Sequence, residues 1–207
     1  MFFISGCSKS ESVQATLPIV KTPQGIQYGG HLRVGLTTEP TSLDAILGRG
    51  GQDAYYWHQL FDQLVDLNND LTPRRETSIA EDWEIKENPH SITFTLRQGV
   101  TFHDGTSVNA KAVKFNIDRI LDPKTMATPR ASLSVIDSVD VIDEFIVRFN
   151  LKRAWGAGLN MLGERGGVLS SPSEVRRLGD NYGWKPSGTG PFMVNEVILG
   201  TMIHLVR

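Results

Sequence analysis

Cysteine is nearly absent: Cys7 stands alone in 207 residues, which excludes an internal disulfide and a cysteine-based zinc site. A run of Lys and Arg is also missing. The formal net charge is −2, and pairs such as Arg74-Arg75 and Arg176-Arg177 read as solvated faces. The chain therefore offers no footprint for a phosphate backbone, and nucleic acid is not an expected partner. Hydrophobic residues at 40% and charged residues at 21% lie near the soluble average, so neither a membrane channel nor a disordered tail is indicated. A chain of this length forms one ordinary domain or two small ones.

Catalytic signatures are lacking as well. There is no Gly-x-Ser-x-Gly elbow, Cys7 is not a plausible nucleophile, and none of the five histidines stands in a recognised catalytic constellation. His103-Asp104 would suit a metal, but no second His/Asp/Glu cluster has ligand spacing. The stretch Asp66-Leu67-Asn68-Asn69-Asp70 lacks the glycine and glutamate of a calcium loop and reads as a polar turn. Gly48-Arg49-Gly50-Gly51 and Gly188-Thr189-Gly190 supply neither a dinucleotide fingerprint nor a P-loop lysine. Catalytic residues, metal ligands and cofactors are accordingly expected to be none, and the chain reads as a non-enzyme.

What is present begins with Ile4-Ser5-Gly6-Cys7, whose aliphatic, small, small, Cys order resembles a bacterial lipobox. Acylation of Cys7 would tether the protein to an outer membrane face by a lipid anchor only. Too few residues precede it for a basic n-region and an apolar h-region, so a truncated leader is expected. Residues 1–30 are read as that leader followed by a Ser-, Thr-, Gln-, Pro- and Gly-rich linker.

Beyond it, alternation over His31–Leu36 predicts a strand, and Tyr56, Leu60, Phe61 and Leu64 predict a helix over 53–64 behind a glycine-rich loop. Trp83 and Ile85, then Ile92, Phe94 and Leu96, predict two strands turning at Asn88-Pro89-His90. Asn109 is placed to cap a helix bearing Ala110, Val113, Ile117, Ile120 and Leu121, stopped by Asp122-Pro123. A strand pair follows over 135–141 and 145–151. Ser171-Pro172-Ser173-Glu174 has the form of a capping box, with Gly179 ending its helix. Two apolar runs hinged at Gly200 close the chain, the last appearing to end inside a strand. Strands outnumber helices in mixed order, an α+β (mixed α/β) architecture.

Ala80-Glu81-Asp82-Trp83, then Phe94 through Thr106 with its Gly99-Val100-Thr101-Phe102-His103-Asp104-Gly105 core, then Ala110 and Val113, resemble the hallmark stretch of solute-binding protein family 5. Ser42-Leu43-Asp44, Leu60-Phe61 with Leu64-Val65, and Gly188-Thr189-Gly190-Pro191-Phe192 follow in the family's order. The likeness implies a periplasmic-binding-protein-like type II lobe with an inserted β-rich subdomain, the second lobe missing from this chain. Residues 31–63 and 170–207 would form the discontinuous first lobe and 64–169 the insertion. The function implied is that of the substrate-binding component of an ABC-type importer, with a peptide or other small solute and the ABC permease subunits as partners, in the periplasm or on the outer face of the cytoplasmic membrane. A peptide-sensing or chaperone-like module on the same scaffold is the alternative. Ligand contacts carried over by the resemblance are Arg49, Gly50, Gly51 and Arg130, with Ser170 weaker; two arginines favour a carboxylate. Trp83 and Phe102 are expected to be structural anchors.

Overall fold

The computed structural model describes residues 20–21 and 27–207, with side chains from residue 29 onward. Cys7 and its lipobox lie outside the described residues. The chain divides into two units, 1–37 and 38–207. In the first, β1 (Val20–Lys21) pairs antiparallel with β2 (Gln27–Tyr28), so the span expected as pure linker holds a short ladder. The strand expected over 31–36 does not form. Its alternating residues Leu32 and Val34 are 90% and 69% exposed; alternation makes a strand only where a neighbouring ladder and an apolar surface receive it.

In the second unit the order is α1 (Asp53–Leu60), β3 (Asp66–Leu67), β4 (Pro73–Arg74), β5 (Ala80–Glu87), β6 (His90–Leu96), α2 (Ala110–Leu121), α3 (Arg130–Leu133), β7 (Ile136–Asp143), β8 (Ile146–Leu151), α4 (Gly158–Leu162), α5 (Pro172–Leu178), β9 (Met193–Ile198) and β10 (Met202–Val206). Four strands form an antiparallel sheet in the order β5-β6-β8-β7, two hairpins joined through β6 and β8. Period-two alternation puts Ile92, Phe94 and Leu96 of β6 and Val147 and Phe149 of β8 in the core. Phe94 and Phe149 meet edge to face, with centroids 5.1 Å apart at 63°.

Helix α2 covers this face because its apolar residues recur at helical spacing: Ala110, Val113, Ile117 and Ile120 are buried with the strands. Its start is set by Asn109, whose side chain accepts the Ala112 N–H at 3.0 Å. Its end is set by Pro123, since the preceding Asp122 is pushed to an extended conformation (φ −63°, ψ 119°). No helix among the described residues is long and apolar enough to cross a membrane.

The outer strands differ from the inner ones. β5 carries Glu81, Asp82, Glu84 and Glu87, and β7 carries Asp137, Asp140 and Asp143; each pairs on one side only. This edge position corrects the expectation for β5. Trp83 is half-buried, with the Arg75 guanidinium 4.1 Å above its ring, and Ile85 is 58% exposed. Both face the same side as Phe94 and Ile92, their register partners, but at the margin of the core.

A second apolar cluster joins α1 to the β9–β10 hairpin through Leu43, Trp57, Leu60, Phe61, Val168 and Val194. Gly200, at φ 76°, makes that hairpin's turn. Helix α5 is half of the expected capping box. Ser171 Oγ accepts the Glu174 N–H at 3.4 Å, but the Glu174 carboxylate binds Arg177 at 2.7 and 2.5 Å, and the Ser171 N–H goes instead to Ser187 O at 2.9 Å. The competing main-chain acceptor takes the group the box would have used.

Phe102 is fully enclosed while Trp83 is half-covered. Phe102→Ala should therefore cost about 3–5 kcal/mol by cavity formation, and Trp83→Ala less than about 2 kcal/mol. Urea denaturation of the two variants checks the contrast; equal losses would show that the edge ring is as enclosed as the inner one.

Candidate functional site

The Ser42-Leu43-Asp44 segment is where the loop before α1 gains its shape. Asp44 is 0% exposed and its carboxylate takes a 2.5 Å bond from Arg119 of α2. Its carbonyl accepts the N–H groups of Leu47 and Gly48, both at 3.0 Å. A buried anion tolerates burial only with such a partner. Tyr182 packs beside the pair, its ring centroid 5.5 Å from the Arg119 guanidinium carbon. Burial, then the Asp44 carboxylate, push its phenol up.

From there the chain runs through Gly48, Arg49 and Gly50 into α1. The Asp53 carboxylate accepts Gly50 N–H at 2.8 Å, Thr41 N–H at 2.9 Å and Thr41 Oγ1 at 2.7 Å. Thr41 Oγ1 in turn accepts the Arg49 N–H at 2.9 Å. On the carbonyl side, Arg165 donates to Gly48 O and to Gly50 O, and Thr128 Oγ1 reaches Gly48 O at 3.1 Å. The Arg49 and Gly50 N–H groups and the Gly48 and Gly50 carbonyls are thus held by side chains. The Arg49 side chain projects outward, and Gly51 is exposed with open space where a Cβ would stand.

The 126–130 loop abuts this one, Thr128 N–H donating to Ile46 O at 2.8 Å. Arg49, on the 48–51 loop, and Arg130, the first residue of α3, 81 positions apart by their numbers, are carried by adjoining segments. Arg130 is exposed, gives Nε to Leu121 O at 3.0 Å, and lines a shallow hollow of about 300 Å³ with Lys152, Ser134 and Asp137. Ser170 is arranged differently. It is 1% exposed, and Asn116 of α2 satisfies both its N–H and its C=O at 2.9 Å, so its side chain is not offered to a ligand. Asp53, Thr41, Thr128 and Arg165 were not anticipated; none belongs to a local motif, and only the fold brings them together.

The remaining motifs are structural. The turn at Phe102–Thr106 is closed by Gly105 at φ 79° and by Phe102 N–H to Thr106 O at 2.9 Å. His103 accepts the Gly188 N–H at Nδ1 (3.2 Å) and donates Nε2–H to Gly190 O (2.9 Å), which assigns its tautomer. A Cβ at Gly188 would stand 2.1 Å from Leu60 O, so only glycine passes there. Burial pushes the Asp104 carboxyl up, but hydrogen bonds from Ser171, Ser173 and Thr106 outweigh it and hold the group at about 2.

The mixed sheet-and-helix scaffold has the fold of part of a type II periplasmic binding protein. The family described as bacterial extracellular solute-binding proteins, family 5 Middle, matches residues 76–207, and the chain belongs to that family. Its members are non-enzymatic binding proteins. Among similar proteins, the glutathione-binding protein GsiB of Pectobacterium atrosepticum is 33% identical over 177 residues, covering 86% of this chain and 34% of that protein. GsiB of Salmonella typhi is 29% identical over 158 residues, 76% of this chain and 30% of that one. The binding protein AgaA from A. tumefaciens R10, solved with agropinic acid, has a TM-score of 0.74 at 30% identity, over 81% of this chain and 33% of its own. The Escherichia coli murein tripeptide binding protein MppA, at 23% identity, has a TM-score of 0.73 over 83% and 36% and shares the fold. The chain spans about one third of the length of the relatives it matches.

Two outcomes follow from these carboxylates. Arg119→Met strands Asp44 without its cation and should cost about 3–5 kcal/mol, measured by thermal or urea unfolding. Asp104 has a folded value below its ordinary 3.8, so its contribution to stability is present above the ordinary value and is lost as pH falls toward about 2. Unfolding measured across that acid window should lose its slope in part in Asp104→Asn; an identical acid limb in both proteins would show that the serine bonds do not bias the carboxyl.

Proposed function

We propose that this chain is part of the substrate-binding component of an ABC-type importer, capturing a peptide or related small acidic solute outside the cytoplasmic membrane and delivering it to the permease. The observation that carries the reading is the loop at 48–51, fixed in its main chain while the Arg49 guanidinium and the Gly51 backbone face outward. A preset loop loses little freedom when a ligand arrives, so more of the contact energy appears as affinity. Arg49 and Arg130 supply fork-shaped donors suited to carboxylates. Gly50 and Gly51 let a ligand approach the backbone closely.

Support for an acidic solute comes from the neighbours. Glutathione names one set of relatives, and agropinic acid and mannopinic acid are the ligands in two solved structures. Each carries carboxylate groups. In this reading residues 31–63 and 170–207 belong to the first lobe and 64–169 to the insertion, and acylation of Cys7 holds the protein at the outer face of the membrane. Ser170 is left out of the ligand set because it is buried, with its main chain held by Asn116.

Titration calorimetry with glutathione as the probe tests the site. Arg49→Ala and Arg130→Ala should each weaken binding by about ten- to a hundredfold, or ~1.5–3 kcal/mol for a charged hydrogen bond, while unfolding free energy stays within about 0.5 kcal/mol. Unchanged affinity in both variants would remove the two arginines from the site whatever the family.

A further inference from the structure

The ligand loop is held from one side by an acid and from the other by a base, and the base comes from far along the chain. Arg165 sits after α4, in a segment folded so tightly that a Cβ at Gly167 would stand 1.7 Å from Leu162 O. Gly167 O accepts the Leu64 N–H at 2.7 Å. That crossing fixes the start of the guanidinium's reach. Its two terminal nitrogens then take one carbonyl each, Nη1 that of Gly48 and Nη2 that of Gly50, on either side of Arg49. The Trp57 ring, buried in the second cluster, lies 6.0 Å from the guanidinium carbon.

We propose that Arg165 is a positioning residue for the ligand loop: by bridging the Gly48 and Gly50 carbonyls it sets the direction in which Arg49 and Gly51 face the solute, without touching the solute itself. This rests on the ligand role proposed for that loop. A planar fork with two terminal nitrogens can hold both carbonyls in a fixed relation, which the rotatable point charge of an ammonium does less well. Asp53 completes the clamp from the N–H side through Gly50. The loop's geometry is thereby decided by residues 165 and 53, and its recognition chemistry by residue 49.

Amide hydrogen exchange followed by NMR on the whole 207-residue chain, without ligand, tests the clamp in Arg165→Met and Arg165→Lys. In Arg165→Met the Arg49 and Gly50 amides should exchange at least about tenfold faster while those of Phe94 and Phe149 keep their rates, as for a local opening; Arg165→Lys should be intermediate. Unchanged exchange at Arg49 and Gly50, or the same acceleration in the central sheet, overturns the proposal. Glutathione is then added and the Gly51 amide shift followed. A response diminished in Arg165→Met and partly restored in Arg165→Lys supports positioning, and an undiminished response overturns it. Silence at Gly51 in the unsubstituted chain counts against the ligand reading instead, and the exchange rates still decide the clamp.

Discussion

A carboxylate removed entirely from water must find a cation, and at Asp44 that requirement joins two parts of the molecule distant in sequence. Its partner, Arg119, projects from the helix that roofs the four-stranded sheet, so the loop before α1 is fastened to the core of the sheet. From Asp44 the main chain turns through Leu47 and Gly48, and that turn delivers the 48–51 loop to the Asp53 and Arg165 side chains that hold it. Asn116, one turn earlier on the same helix, fixes Ser170 by imitating a backbone partner. Helix α2 is therefore both roof and anchor: its apolar face packs the strands, Asn116 holds the returning chain at Ser170, and Arg119 holds the earlier loop at Asp44.

The residues that mark the family and those proposed to face a solute are largely different residues. Phe102, His103 and Asp104 close a turn, and Gly188-Thr189-Gly190 threads between that turn and the end of α1, with Gly190 N–H on Leu60 O and Thr189 Oγ1 on Asp62 N–H. Such positions tolerate little change, because a Cβ or a missing acceptor has nowhere to go. Arg49 and Arg130 answer to no such packing constraint. Side chains on such loops can change without disturbing the turns, since the loops are supported from behind.

Much of the architecture was legible in the sequence because it rests on local periodicity. The alternation in β6, the apolar face of α2, the Asn109 cap and the Gly200 turn all appear where spacing places them. The errors have physical causes. Leu32 and Val34 alternate but have no ladder to join, and Trp83 has strand spacing yet lies on an edge, where an arginine covers it in place of a helix. The capping box failed on Glu174, which prefers a nearby guanidinium. At the candidate site the sequence offered the loops but not the residues that hold them. Arg165 is 115 positions from Gly50, and no window of sequence carries that information.

Among the described residues the two outer strands of the sheet leave one backbone ladder each unpaired, and both are rich in carboxylates. Two copies approaching edge to edge would bring Glu81, Asp82, Glu84 and Glu87 of one against like charges of the other, whichever strand it offers. Like charges placed opposite one another disfavour that register, and the repulsion is strongest where ionic strength is low. The sheet is thus guarded against growing into a fibril by charge, and conditions that neutralise carboxylates are those in which the guard is lowered.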